Sequence, residues 1–378
     1  MKLAIVKVEL SLLKWAKDRS RKGESLYAIF PKLEQWLSGE SSITLKQLEK
    51  YARVTATPLG YFFLKEPPIE KIPVPHYRTL TDEHPEGASP ELIDTLHTMQ
   101  RRQQFIKDFY IENVGVELDF IGSYRGNNPV ELAGLMKAKF DLQENWASNI
   151  DTWHSALRFI IKKCEELRII VMVNGVVGNN THRKLNVEEF RGFVLVNSMA
   201  PLIFINGADA KAAQIFTLIH EIAHIWVGHS AIVEASPLDN GNSEIEKLCN
   251  KATVEFLCPK EEFKNMWIRH ENNEVINTLA RYFKVSSLVI ARRSLELNLI
   301  NNQEFYIFLE QYQETIRNVE SSSGGNFYAT TKAKLGNLFT RIIISEVKTG
   351  NVMYRDAYRL TGLKGDTFKK YLDFNERN

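Results

Sequence analysis

The run Ile215-Phe216-Thr217-Leu218-Ile219-His220-Glu221-Ile222-Ala223-His224-Ile225-Trp226-Val227 decides how the chain is read. Ile215, Ile219, Ile222 and Trp226 recur at helical spacing, which predicts a helix with a buried stripe. Gly228 is a natural C-terminal stop, and Asp209 or a neighbour is expected to cap the start. On such a helix His220 and His224 lie one turn apart and point two imidazoles the same way, at a spacing one metal ion can bridge. Glu221 sits beside the first of them. With nine His in 378 residues, chance supplies an HExxH in roughly a few of every hundred such chains, so the surroundings must carry the argument.

Zinc in a hydrolase takes three protein ligands and leaves a fourth position for water. His229 follows His224 by five residues, whereas the metzincin pattern places its third His six residues on, so His229 reads as a cation near a helix C-terminus. The next predicted helix, residues 243–257, ends at Pro259 and offers Glu244, Glu246 and Glu255. Glu246 is preferred because Asn250 stands one turn on, on the same face, where it could hold a ligand in place. The residue four after Glu244 is Leu248. Ser243-x-x-Glu246 is also a capping box.

Upstream of the run the period is two. Residues 168–173, 192–197 and 201–206 are short β-rich stretches bounded by Gly, Asn and Pro, hence three strands preceding the HExxH helix. Before them, Pro90 opens a helix to about Tyr110, Asn128-Pro129 opens another to about Phe140, and residues 155–167 form a third. A Pro-rich connector, Pro67-Pro68 to Pro73-Val74-Pro75, separates these from residues 3–65, where three amphipathic segments predict a small helical bundle with Thr44 as an N-cap. Downstream, residues 274–300 have a helix-turn-helix pattern that is read as a helical pair packed on the catalytic domain. Ser321-Ser322-Ser323-Gly324-Gly325 is a junction before a helix carrying Leu335, Phe339, Ile342 and Ile343 and a helical pair about Thr361-Gly362-Leu363. The fold class expected is α+β, mostly α. Its divisions are residues 1–65, a linker 66–90, a catalytic domain 91–270, a helical subdomain 271–320 and a helical C-terminal domain 326–378.

Composition agrees with a globular protein: 44% hydrophobic and 25% charged residues, with no apolar run approaching a membrane span. The N-terminal apolar residues are interrupted by Lys7, Glu9 and Lys14, so no secretory pattern is read and a cytoplasmic location is expected. Cys164, Cys249 and Cys258 lack metal-type spacing and are expected to be reduced, buried thiols. Residues 1–65 carry +6 and residues 326–378 carry +5 against a total of +2, so the middle is net −9. Basic ends suit phosphate contacts and equally describe an ordinary solvated surface.

His220-Glu221-Ile222-Ala223-His224 with Glu246-Lys-Leu-Cys-Asn250-Lys-Ala-Thr-Val-Glu-Phe-Leu-Cys-Pro259 resembles the ImmA/IrrE family of bacterial zinc metallo-endopeptidases. Leu33-Glu-Gln-Trp-Leu-Ser-Gly-Glu40 and Thr44-Leu-Lys-Gln-Leu-Glu-Lys-Tyr-Ala52 resemble an Xre/Cro-type helix-turn-helix domain, with Lys32 and Gln35 as DNA- or partner-contacting candidates. Pro31-Lys32 stands where that family has a turn and the start of its recognition helix, so the segment 26–38 is several residues short. A bundle used for packing or dimerisation is the competing reading.

The resemblance implies that His220, His224 and Glu246 ligate Zn2+, that Glu221 is the catalytic base and that the substrate is a repressor-like regulator. Asn250 would support the ligands from behind. An extended substrate is expected along residues 202–206, taken as an edge strand. An oxyanion donor is also expected, with His229 as a candidate. Expected partners are the protein substrate, with DNA through the N-terminal domain and a homodimer as further candidates, and no membrane. The alternative is a DNA-binding regulator or antitoxin whose peptidase domain is mainly scaffold.

Overall fold

The computed structural model describes residues 5–70, 88–143, 145–233, 244–269, 274–317 and 327–376. It divides the chain into two units, Met1–His97 and Thr98–Asn378.

In the first unit a two-residue ladder, β1 (Ile5–Val6) with β2 (Ile43–Thr44), accompanies four helices: α1 (Leu10–Arg19), α2 (Ser25–Ile29), α3 (Leu33–Ser38) and α4 (Leu45–Val54). A 3-10 turn, Leu59–Phe63, follows. Leu12, Leu26, Leu33, Trp36, Leu48, Tyr51 and Phe62 form its core, and the Tyr51 hydroxyl donates to the Leu13 carbonyl at 2.8 Å. Thr44 caps α4 as expected: its Oγ1 accepts from Gln47 N–H while Gln47 Oε1 accepts from Thr44 N–H. Helix α3 has six residues, under two turns. Lys32 precedes it, and both Lys32 and Gln35 are exposed. Arg19 grips Glu70 with two contacts of 2.6 and 2.7 Å, tying the start of the Pro-rich connector to the bundle. The connector's residues 71–87 lie outside the described residues.

The second unit begins within α5 (Pro90–Asn113) and continues through α6 (Pro129–Lys139) and α7 (Trp153–Glu166). Asn128 caps α6 and Thr152 caps α7. A four-stranded sheet follows, β3 (Ile170–Asn174), β6 (Gly192–Leu195), β7 (Leu202–Asn206) and β8 (Ala231–Val233), in the order β3-β7-β6-β8. A small hairpin, β4 (Val176–Val177) with β5 (Asn180–Lys184), is inserted after β3. Between β7 and β8 runs α8 (Lys211–Val227), the HExxH helix.

The expectation that residues 202–206 form an edge strand is corrected here. β7 pairs parallel with β3 on one side and antiparallel with β6 on the other, and all five of its residues are buried. An unbroken apolar run such as Leu-Ile-Phe-Ile marks an interior strand, because both faces of the sheet are covered there. The strand at the edge beside β6 is β8.

Helices α9 (Glu244–Leu257), α10 (Lys260–Arg269), α11 (Val275–Phe283), α12 (Ser287–Glu296) and α13 (Asn302–Arg317) come next. Ile160, Ile219, Ile222, Trp226, Phe256, Leu279, Phe283 and Ile290 belong to one core, so the pair α11 and α12 packs into the same body as α8. Cys164, Cys249 and Cys258 are free and buried. No helix of the described residues is long and apolar enough to cross a membrane.

The chain ends in α14 (Phe327–Leu335), α15 (Asn337–Lys348), α16 (Tyr354–Thr361) and α17 (Gly365–Glu376). Two buried charges hold this tail, and each serves as a helix cap supplied from elsewhere in the unit. Glu165, on α7 and 8% exposed, accepts from Asn337 N–H (2.8 Å), Leu338 N–H (3.2 Å) and the Asn337 side chain (3.1 Å). A carboxylate thus meets the positive end of α15. Arg102, on α5, donates to Leu360 O (2.9 Å) in the last turn of α16 and to Lys334 O (3.2 Å) in that of α14, with its guanidinium over the Phe339 ring. No carboxylate pairs with Arg102 among the described residues, so the carbonyl ends of two helices stand in for one.

Replacing Glu165 by Ala leaves the start of α15 uncapped and is expected to cost about 2 kcal/mol locally. Limited trypsin digestion checks this: cleavage at Lys332, Lys334 or Arg341 in the native protein should accelerate by roughly tenfold or more.

Candidate metal centre

Helix α8 is buried from Gln214 to Val227 apart from the half-buried Phe216. A helix that is hydrophobic all round belongs in a core, and its few polar groups need partners there. Its N-cap is Ala210, with no side-chain cap; Asp209 accepts from the Ala210 N–H and pairs with Arg191 at 2.8 Å. Its last turn ends at Gly228 in the left-handed region, φ 82°. A loop from the preceding sequence completes that end: Gly122 N–H donates to Ile225 O (2.9 Å), Tyr124 N–H to Trp226 O (3.0 Å), and Phe120 stacks on Trp226. Gly228 and Gly122 touch back to back, so a Cβ on Gly228 would come within 2.9 Å of the Gly122 Cα.

Near the end of this helix His220 and His224, each 1% exposed, bring their Nε2 atoms to 2.9 Å of one another. Glu246 in the first turn of α9 reaches them with both oxygens, Oε2 to His220 Nε2 and Oε1 to His224 Nε2, each at 3.2 Å. Among the described residues these three are the group whose ligand atoms converge as a metal site requires. Ligands about 2.0–2.1 Å from a tetrahedral zinc are roughly 3.3 Å from each other, close to the spacing seen. Two imidazoles and a carboxylate are also a donor set of catalytic zinc sites.

Glu221 supplies the second test of fit. It is 0% exposed, and neither carboxylate oxygen has a hydrogen-bond partner among the described residues. Burial, with the Glu246 charge nearby, pushes its proton affinity well above the usual carboxylate range. Burial also pulls His224 below its ordinary value. Burial acts to raise Glu246 as well, but hydrogen bonds with His220 and His224 outweigh it and hold that carboxyl far below its usual range. A divalent cation among the three ligands is the opposite charge that the orphaned Glu221 lacks.

The other acidic candidates are committed elsewhere. Glu244 is exposed and pairs with Lys247 at 3.0 Å, and Glu255 pairs with Arg293. Ser243, the other half of the alternative capping box, lies outside the described residues. Asn250 is half-buried one turn beyond Glu246. His229 donates its N–H to His224 O at 3.1 Å, just past the helix end, and is not in the converging group. Lys32 and Gln35 belong to the first unit. The buried Cys249 thiol is pushed up by burial, with the Glu246 and Glu221 charges acting in the same direction, which disfavours the thiolate a metal would need.

One residue of the site escaped the sequence reading. Gly192 begins β6, and a Cβ there would lie 2.6 Å from Thr217 Cγ2, 2.8 Å from Phe204 O and 3.4 Å from Glu221 Oε1. Thr217 and Glu221 are one turn apart on α8, so β6 crosses that face with room for a hydrogen and no more. The signal available was a glycine inside a strand pattern, which marks close backbone approach.

Residues 164–295 match the family model described as the IrrE N-terminal-like domain, peptidase family M78, a zinc peptidase family. The match supports a metallopeptidase-type function. Residues 335–374 match a domain of unknown function (DUF8813). A search of the curated proteins finds no match to the chain.

Gly192→Ala is expected to destabilise the second unit by about 1–3 kcal/mol, the usual cost of overpacking. Thr217→Ser removes one of the two clashing atoms and should restore part of the loss. Urea denaturation of the single and double variants checks both statements.

Proposed function

We propose that this chain is a zinc-dependent endopeptidase that cleaves a repressor-like regulatory protein, with its terminal helical segments serving targeting or regulation. The observation that carries the reading is the wholly buried, partnerless carboxylate of Glu221 beside the convergent His220, His224 and Glu246. A structural carboxylate in a core would be paired; one kept waiting for a reactant need not be.

In this reading His220, His224 and Glu246 hold the ion, and Asn250 supports them from one turn along α9. Zinc, when bound, supplies Lewis acidity that acidifies water and polarises a peptide carbonyl. Glu221 takes a proton from the attacking water and returns it to the departing amine. Gly192 keeps the space in which that carboxylate sits.

Substrate recognition is assigned to β8 in place of the strand first expected. Gly192 on β6 pairs with Val233 on β8, so β8 runs beside the strand that abuts Glu221. Its outer edge has no partner strand among the described residues, and an extended segment can pair with it backbone to backbone. For the first unit, a six-residue α3 falls short of the roughly three turns that a recognition helix uses in the major groove, which favours protein targeting over DNA reading.

The test is incubation of the zinc-loaded full chain and its Glu221→Gln variant with candidate regulators, alongside metal analysis. One zinc per chain is expected in both proteins, with cleavage by the wild type falling about 10²- to 10⁴-fold in the variant. A wild-type chain that takes up no zinc when supplied with it would sink the reading. Sequence-selective gel shifts at physiological salt, without proteolysis, would replace it with the DNA-binding regulator.

A further inference from the structure

A second cluster of buried charge lies away from the metal centre, at the far end of the helix that presents Glu246. Arg293 on α12 is 2% exposed, and its guanidinium binds Glu255 of α9 through Nη2 and Glu296 of its own helix through Nη1, the latter at 2.9 Å. The Glu255 side chain is 14% exposed, whereas that of Glu296 is 52% exposed. Arg293 Nε has no hydrogen-bond partner among the described residues. The cation is therefore held chiefly by one desolvated carboxylate across a helix–helix contact.

Such a pair is weak grounds for stability, because desolvation offsets most of the attraction. Its distinguishing property is direction. Apolar burial is non-directional, so the packed residues of α9, Cys249, Ala252, Phe256 and Leu257, resist a small slide along the helix axis less specifically than a directional bond does. A planar guanidinium fixed to one carboxylate does not tolerate it. Arg293 is itself a fixed point, since its neighbours Val289 and Ile290 are in the main core. Glu255 lies nine residues beyond Glu246 on α9, about 13 Å along a continuous helix. Metal sites accept ligand errors of only about 0.2 Å, so a slide or rotation at Glu255 reaches Glu246 at a scale that matters.

We propose that Arg293 is a positioning residue for the metal centre, setting through Glu255 the axial register of the helix that carries Glu246. The proposal rests on the metallopeptidase reading above. It assigns Arg293 no contact with metal or substrate.

The experiment uses the full chain and measures zinc affinity by competition with a chromophoric chelator, beside urea denaturation of the metal-free proteins. Arg293→Lys keeps the charge and loses the fork; it is expected to weaken zinc binding about tenfold, within the range seen when groups supporting a ligand are lost. Glu296→Gln removes the exposed partner and should leave zinc affinity within about twofold. A purely structural role lowers stability alone, because a protein still about 99% folded shows no change in apparent zinc affinity from that source. Folded Arg293→Lys with wild-type affinity therefore overturns the proposal. If Arg293→Lys does not fold, Glu255→Gln, which retains a weaker hydrogen bond, carries the same expectation and the same power to overturn it. Absence of zinc from the wild type would remove the metallopeptidase reading and this proposal with it, whereas zinc on the wild type with an unchanged variant removes the proposal alone.

Discussion

A buried carboxylate without a partner among the described residues sits at the heart of the second unit. Glu221 lies inside a helix that the core surrounds, one residue from an imidazole, with no hydrogen bond from the described protein to offset its desolvation. A group in that state is costly unless something else completes it. The converging Nε2 atoms of His220 and His224 with the Glu246 carboxylate could hold a divalent cation, the charge that in our proposal completes it. Sheet and helices on either side of α8 bury His220, Glu221 and His224, which strengthens the charge interactions among them.

Positioning is divided among contacts far from one another in the chain. β6 approaches α8 so closely that Gly192 is required opposite Thr217 and Glu221. The 120–124 loop satisfies the carbonyls at the other end of α8. The tail is held by the same electrostatics at larger scale: Glu165 caps the start of one helix and Arg102 the ends of two others, so charges from α7 and α5 complete helices that lie more than 150 residues later. These charges act where a helix end concentrates partial charge, which gives an isolated buried ion a partner without a countercharge.

Local features were legible in the sequence. Thr44 and Asn128 announced their helices by side-chain chemistry, Gly228 announced a stop, and the 3.6-residue period of the 215–227 run placed the HExxH correctly on a buried helix. Helix α10 is poorly marked in the sequence: Pro259 reads as the end of α9, and only Phe263 and Met266 show the buried side of the helix that follows it. Helix α13 falls inside the 271–320 segment expected to be helical, although no motif marks its ends. The position of β7 was misread because a strand carries no local mark of its neighbours; only the unbroken apolar character of Leu-Ile-Phe-Ile hinted that both faces were covered. β8 is three residues long and too short for periodicity to register. Gly192, Arg102 and Arg293 owe their roles to contacts across long sequence separations, which no spacing rule reports. The C-terminal segment 326–378 shares a unit with His220, His224 and Glu246, docked by side chains whose partners composition does not reveal.

In our proposal two imidazoles and one carboxylate hold the ion. Zinc K-edge X-ray absorption on the zinc-loaded chain tests it most directly, because nitrogen and oxygen ligands scatter at about 2.0–2.2 Å and sulfur at about 2.3 Å. Scattering from two imidazoles is expected, with oxygen completing the coordination and no sulfur. A sulfur shell, which would implicate the neighbouring Cys249, or a shell of oxygens without imidazole, would contradict it.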